Sequence, residues 1–288
     1  MTKSNLKPIF VTGTGTDVGK TYVTAMLCKF ASDYLKGQKG DVCPWQETPS
    51  FVRLVGYYKA AISGANSIAQ SDAGYVNSFA SLGQKDEDLT SYLYEEAVSP
   101  HLAQKHSGGE PISFDKIMQS FYKVYDTSKL TVLEGSGGVY CPLRWDDELY
   151  TYAAACCADS AMAQESSAAL DALKASKYFN KLNLQRFTIL DLMRIVKEEV
   201  GVKVVIVADA ALGVINNTLT TVTSLTQAGF DTKDMFIILN NFIASNPMYE
   251  DNKKMVETMT SVKVIATVAK GDSELKFASS SCQALFEH

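Results

Sequence analysis

Histidine is scarce in this sequence, and paired cysteines are missing. Three histidines, His101, His106 and His288, and six cysteines without a Cys-x-x-Cys pair supply no set of soft ligands at the spacings a zinc site needs. Cys28, Cys43, Cys141, Cys156, Cys157 and Cys282 read as reduced thiols, not as a disulfide framework. A basic surplus is also lacking: 27 Lys and Arg face 32 Asp and Glu, for a net charge of −5. Neutralising a phosphate backbone requires the opposite balance, so nucleic-acid binding is not expected. No apolar run approaches the ~20 residues that cross a bilayer. The opening residues, MTKSNLKPIFVTG, have no apolar signal core and lead directly into a strand pattern. A soluble, cytoplasmic protein with no membrane partner is the expectation.

What is present suffices for a packed core: 288 residues, 46% of them hydrophobic. Short apolar runs at Ile9–Thr12, Val55–Lys59, Thr131–Glu134, Val204–Ala208, Phe236–Asn240 and Val264–Thr267 read as strands. Most are continuous rather than alternating, which suits strands covered on both faces of a parallel sheet. Amphipathic stretches intervene at Lys20–Tyr34, Phe114–Tyr125, Ile189–Val200, Asn216–Ala228 and Tyr249–Thr260. The alternation predicts a doubly wound α/β fold, its mainly parallel sheet flanked by helices, as one domain over residues 1–288. Two segments fit this scheme poorly and read as insertions. Residues 38–53 hold Pro44, Trp45 and Pro49 without a period, and 150–186 is rich in Ala and Ser, a composition that favours helix.

The strongest local signal is VTGTGTDVGKT, Val11 to Thr21. A strand ends, a loop of Gly and Thr follows, and Gly19-Lys20-Thr21 opens a helix. Such a loop is an anion cradle, because glycines let backbone N–H groups turn inward and the helix N-terminus adds its positive dipole end. Gly13, Thr14, Gly15, Thr16, Asp17, Val18 and Gly19 supply its backbone. Lys20 is placed to reach the β- and γ-phosphates, and the Thr21 hydroxyl to ligate Mg²⁺. In the common motif four residues separate the first Gly from the Gly-Lys pair. Here Thr14 fills that first position and Gly13 lies one residue further back. Nucleotide-phosphate binding on a phosphate-loop NTPase fold is expected.

Phosphoryl transfer also needs metal and stabilised charge. Glu134, in LTVLEGSGG, ends a predicted strand, where open α/β sheets place site residues. Asp72, in IAQSDAGY, falls in a polar loop after the second strand. Either carboxylate suits Mg²⁺ together with Thr21, although Asp72 alone reads as a solvated loop residue. Lys59 ends the second strand before AAISG, and alone it reads as a surface charge. Beside Lys20 and Glu134 it would stabilise a carboxylated substrate and a phosphoryl transition state.

Together these segments resemble a known family. GTGTDVGKT, GYYKAAISG, SD, EEAVSPH, EGSGGVYCPL, ADAALGVIN and LNN occur in the order seen in ATP-dependent dethiobiotin synthetases. The resemblance covers most of the chain outside the two insertions, and that family shares the longer loop. It implies a reaction in which CO2 and 7,8-diaminononanoate form a carbamate, ATP phosphorylates it, and the second amine closes a cyclic urea. ATP, Mg²⁺, the diamine and CO2 or bicarbonate are the implied partners. By resemblance Lys59, Lys20 and Thr16 are catalytic, while Thr21, Asp72 and Glu134 hold the metal. The Gly13–Thr21 backbone contacts phosphates or the carbamate, with Asp17 near the nucleotide. Gly135, Ser136, Gly137 and Gly138 turn amides toward nucleotide or substrate, and Ser63 contacts the substrate. Asn240 matches a base-contacting asparagine, and Asn241 stands beside it where an Asp is common. The resemblance also implies a homodimer, with Gly213, Val214, Ile215 and Asn216 meeting the substrate's carboxylate tail across the interface. That segment opens a helix, which suits a carboxylate, and Asn216 reads equally well as an ordinary N-cap.

The sequence departs from the family at some points. Lys59 is followed by Ala60 where Pro is common, and IATVAKGDSEL lacks an Ile-Pro turn, so Val268–Lys270 and Glu274 are expected near the base. Ser99-Pro100-His101 matches a family segment without a catalytic part. Two rivals remain at this stage. A cobyrinate-type amidoligase would carry a glutaminase domain with a nucleophilic Cys, and nothing after residue 240 looks like such a domain. A nucleotide-switched regulatory ATPase would carry an extra lysine early in the loop, where residues 10 to 13 are Phe-Val-Thr-Gly.

Overall fold

The computed structural model describes residues 6–37, 53–147, 170–277 and 281–286. Nearly all of the 38–53 insertion and much of 150–186 lie outside them. Along the chain come β1 (Ile9–Gly13), α1 (Lys20–Gly37), β2 (Arg53–Ser63), α2 (Asp72–Phe79), β3 (Thr90–Tyr94), α3 (Pro100–Ser107), α4 (Phe114–Thr127) and β4 (Ser128–Gly138). Then follow β5 (Pro142–Trp145), β6 (Arg186–Thr188), α5 (Ile189–Val200), β7 (Lys203–Asp209), α6 (Val214–Gln227), β8 (Met235–Asn240), α7 (Pro247–Thr260), β9 (Val264–Thr267) and α8 (Ser281–Phe286).

Seven strands form one sheet in the order β3-β2-β4-β1-β7-β8-β9, and every pairing within it is parallel. Residues of one strand alternate between two cores. Val11, Tyr57 and Val132 pack with Val23, Met26 and Leu27 of α1 on one face. Phe10, Tyr58 and Leu133 pack with Phe121 of α4, Met193 of α5 and Leu225 of α6 on the other. With both faces covered, β1 and β8 are buried at every residue, which explains their unbroken apolar runs. The chain leaves β1 on the α1 face and leaves β4 toward α5 on the opposite face. The crevice at the C-terminal ends of these neighbouring strands is therefore a topological switch point, where doubly wound sheets hold ligands. Among the described residues no helix is long and apolar enough to cross a membrane.

Several expectations are corrected. Lys59 does not end its strand: β2 runs on to Ser63, because Ala60, Ala61 and Ile62 are buried and keep pairing. Arg53 to Lys59 pair with β4, and Lys59 to Ser63 pair with β3. Glu134 is likewise inside β4, which continues through Gly138 opposite Gly13. Asp72 is not in a loop but opens α2, where the Ser71 hydroxyl accepts from the Gly74 N–H at 3.3 Å. Asn216 is not an N-cap, since α6 begins at Val214 behind Gly213. The edge strand β3 and the small antiparallel pair β5–β6 have no apolar run to announce them.

The described end of the 150–186 insertion packs against the body. Residues 170–175 are helical, and Tyr178 is buried edge-on against Phe114 at 5.0 Å between ring centroids. Glu199 of α5 ties this region down by accepting from Tyr122 Oη, from Tyr178 Oη at 3.3 Å and by pairing with Lys181 at 3.3 Å. Burial opposes its charge, but the Tyr122 hydroxyl and the Lys181 and Lys177 ammonium groups outweigh that and hold its carboxyl below the ordinary 4.5. A carboxyl depressed on folding stabilises above its unfolded pKa, and the benefit is lost as pH falls through the folded value. Glu199→Gln is expected to lower Tm by about 2–4 °C at pH 7, the shift per kcal/mol for a domain of about this size. Thermal melts at pH 7 and at acid pH check this: the gap to wild type narrows in acid, and an equal gap at both contradicts it.

Candidate active site

The phosphate loop follows β1 and closes on α1. Thr14 N–H donates to Val207 O at 3.0 Å, anchoring the loop to β7. Among the described residues no intramolecular acceptor meets the N–H groups of residues 15 to 19, which leaves them for an anion. Asp17 and Gly19 both have positive φ, 59° and 85°. Gly19 is required there, because a Cβ would lie 2.1 Å from Asn240 Nδ2. Lys20 is buried, and its Nζ donates to Gly15 O at 2.9 Å, bridging the loop. Burial and the neighbouring Lys59 charge hold Lys20 below the ordinary lysine value.

Beneath the loop lies a charge cluster. Lys59 is opposite Glu134 in the β2–β4 register, and both face α1. Lys59 Nζ donates to Glu134 Oε1 at 2.8 Å and to Asp72 Oδ2 at 2.5 Å. Thr21 Oγ1 donates to the same Glu134 Oε1 at 2.7 Å. Burial lowers the Lys59 pKa, and Glu134 and Asp72 overcome that and raise it above the ordinary lysine value. Burial likewise opposes the Asp72 charge, and the Lys59 ammonium holds its carboxyl below the usual range. The site therefore keeps its lysine charged although Lys59 is only 5% exposed.

A cavity of about 650 Å³ opens above this cluster, lined by Thr16, Lys20, Lys59, Ser63, Asp72 and Ser136 among others. A second, of about 420 Å³, runs from Thr14, Thr16 and Gly138 to Asn216 and Thr220 on α6. Thr16 and Gly137 line both, so the two join at the loop.

Residues 7–159 match a family model described as an AAA domain. The ATP-dependent dethiobiotin synthetase BioD of Brachyspira hyodysenteriae is 32% identical over 281 residues, covering 98% of this chain and 99% of that one. The synthetase of the same name from Clostridium botulinum strain Eklund 17B is 31% identical over 263 residues, 90% of this chain and 88% of its own. The chain belongs to the ATP-dependent dethiobiotin synthetase family. A solved ParA family ATPase from Chlorobium tepidum aligns over 98% of this chain and 89% of its own, at 12% identity and a TM-score of 0.39. That likeness adds nothing to the strand order itself. The match to the synthetases displaces both the amidoligase and the regulatory-ATPase readings.

Other residues expected from the synthetase family take different places around the loop. Ser63 lines the main cavity, its hydroxyl donating to Val98 O at 2.5 Å. Ser136 and Gly137 line it from β4, with Ser136 Oγ donating to Ala61 O at 2.9 Å. Gly135 sits deeper, where a Cβ would press Ile189 and Phe10. Asn240 does not reach either cavity: it is buried, and its Nδ2 donates to Val18 O at 3.1 Å, making it a strut under the loop. Asn241 turns away to donate to Asp209 Oδ2 at 2.7 Å. Of the 213–216 segment, Asn216 lines the second of these two cavities, and Val214 is buried in the core. Glu274 is 3.9 Å from Lys29, about two turns along α1 from the loop.

Sequence reasoning missed Tyr57, Cys141 and the α3 start. Tyr57 Oη donates to Glu134 Oε2 at 3.2 Å. Its signal was available, since a residue two before Lys59 in a strand shares its face. Cys141 and the Ser99-Pro100 start of α3 line the main cavity. Burial raises the Cys141 thiol pKa against the pull of Lys20 and Lys59, so it is no ready nucleophile.

Proposed function

We propose that this protein makes dethiobiotin from 7,8-diaminononanoate, CO2 and ATP, with ADP and phosphate as co-products. The observation that supports it best is Lys59, a charged and buried ammonium on the floor of a cavity whose rim is the phosphate loop. An anionic carbamate and the γ-phosphate it must attack both need positive charge at one place, and Lys59 and Lys20 supply it. Lys20 would exchange Gly15 O for phosphate oxygens. Thr16, at the junction of the two cavities, would contact the reacting groups, and Ser63 the diamine. The carbamate oxygen attacks the γ-phosphorus of ATP, and the bond to the β-phosphate oxygen breaks to release ADP and leave a carbamoyl phosphate. The second amine then attacks the carbamoyl carbon, closing the ring as phosphate leaves.

Thr21, Glu134 and Asp72 offer hydroxyl and carboxylate oxygens, a hard donor set that fits Mg²⁺. Thr21 Oγ1 and Glu134 Oε1 already meet at 2.7 Å. When bound, the cation would neutralise phosphate charge. The diamine's carboxylate tail would run along the second cavity toward Asn216, with the 213–216 segment of a partner copy completing a homodimeric site in the cytoplasm. Incubation with ¹³C-bicarbonate, diamine, ATP and Mg²⁺ tests the reading by mass spectrometry. Labelled cyclic urea is expected; ATP consumption without labelled product rejects it.

A further inference from the structure

Glu134 is the most enclosed member of the cluster, with a side chain 0% exposed. Its two oxygens have different partners. Oε1 accepts from Thr21 and Lys59. Oε2, among the described residues, accepts from Tyr57 Oη alone, at 3.2 Å. Tyr57 is itself fully buried and cannot wander. Gln84 clamps its backbone, Oε1 accepting from Tyr57 N at 2.9 Å and Nε2 donating to Tyr57 O at 2.7 Å. Gln84 Nε2 also donates to Asp88 O at 2.9 Å, fixing the clamp.

A buried carboxylate with one free oxygen pivots about its last torsion, which is broad and roughly two-fold. We infer that Tyr57 is a positioning residue for the metal-site carboxylate, its hydroxyl holding Glu134 Oε2 so that Oε1 faces Thr21 and Lys59. The inference rests on the reading of Thr21 and Glu134 as metal ligands. Outer partners of this kind set ligand orientation, and removing one costs ~10–100-fold in metal affinity or activity. Tyr57 touches neither cavity, so its effect passes through Glu134.

Tyr57→Phe removes the hydroxyl and keeps the ring. The neighbouring Tyr58 provides the control, being equally buried with its hydroxyl donating to Ile117 O at 3.0 Å on the other face of the sheet. Tyr58→Phe loses the same atom without touching Glu134. Mn²⁺ binding to the full-length protein with a non-hydrolysable ATP analogue is followed by electron paramagnetic resonance. Turnover is measured alongside. Tyr57→Phe is expected to bind Mn²⁺ ~10-fold more weakly and to lose kcat by a similar factor, with the KM for ATP little changed. Tyr58→Phe is expected to match wild type in both while losing thermal stability. Equal Mn²⁺ affinity in Tyr57→Phe and wild type overturns the inference, as does an equal loss in Tyr58→Phe. Absence of diamine-dependent turnover in wild type would instead reject the proposed reaction, and the Mn²⁺ comparison would still decide the role of Tyr57.

Discussion

Lys59→Met is expected to lower kcat by ~10³-fold while ATP affinity changes little, since a preorganised charge removed from a desolvated site costs ~10²–10³-fold or more. Lys59 joins Glu134 and Asp72 at 2.8 and 2.5 Å and is buried. Methionine fills its volume without its charge. The phosphate loop, Lys20 and Thr21 lie on separate elements and keep their contacts, so nucleotide still binds. Stability falls as well, because removing one partner of a buried pair strands the other, at a cost of about 3–5 kcal/mol. Most of that falls on Glu134, since the Asp72 side chain is 44% exposed and solvent screens it. Mg²⁺ should raise the Tm of Lys59→Met more than that of wild type, because it meets two carboxylates freed of their lysine. Calorimetric ATP binding and steady-state kinetics check the main effect; a kcat within tenfold of wild type contradicts it.

Gly19→Ala is expected to weaken ATP binding by ~30–5000-fold, at ~1.4 kcal/mol per tenfold. A residue other than Gly at φ of 85° carries about 1–2 kcal/mol of backbone strain. The added methyl would also meet Asn240 Nδ2 at 2.1 Å, and forced repacking in a tight site costs about 1–3 kcal/mol. Asn240 cannot step aside freely, because it ends β8 and its amide holds Val18 O. The loop would relax out of its cradle shape, and binding would have to restore it. A double-mutant cycle tests the cause: Gly19→Ala with Asn240→Ala should bind ATP better than the sum of the two single losses allows. Additive losses would remove Asn240 from the explanation.

Much of the fold was legible because parallel strands covered on both faces are written as plain apolar runs. Val264–Thr267 has the expected bounds on that basis, and the amphipathic stretch Ile189–Val200 forms α5 with the expected bounds behind its Thr188–Asp191 capping box. β3 escaped because TSYLY is half-buried throughout and has neither a run nor a clean alternation. The strand ends expected at Lys59 and Glu134 fall short of the real ones, because pairing with β3 and β1 extends β2 and β4 beyond them. Asp72 looked solvated because its surroundings, IAQSDAGY, are polar. Gly74 in that stretch is demanded by packing, since a Cβ there would sit 2.1 Å from Ile68 O.

The site was legible in its parts, and its wiring was not. The phosphate loop and Glu134 could be named from local residue chemistry, whereas Lys59 and Asp72 alone read as surface charge and solvated loop and gained roles only beside the others. That one lysine joins two carboxylates, and that Tyr57 supports one of them, depends on a strand register no local window contains. Asn240 illustrates the same limit: its partner, Val18, lies 222 residues away in sequence, so its support of the loop is invisible to any local window.

The most direct test of the account is phosphate release from ATP and Mg²⁺ by the wild-type protein, with diamine and bicarbonate supplied separately and together. The account predicts that release requires both, because the γ-phosphate is transferred only to a carbamate held at Lys59. Release at the same rate without the diamine would leave a phosphate-loop ATPase and contradict the synthetase reading.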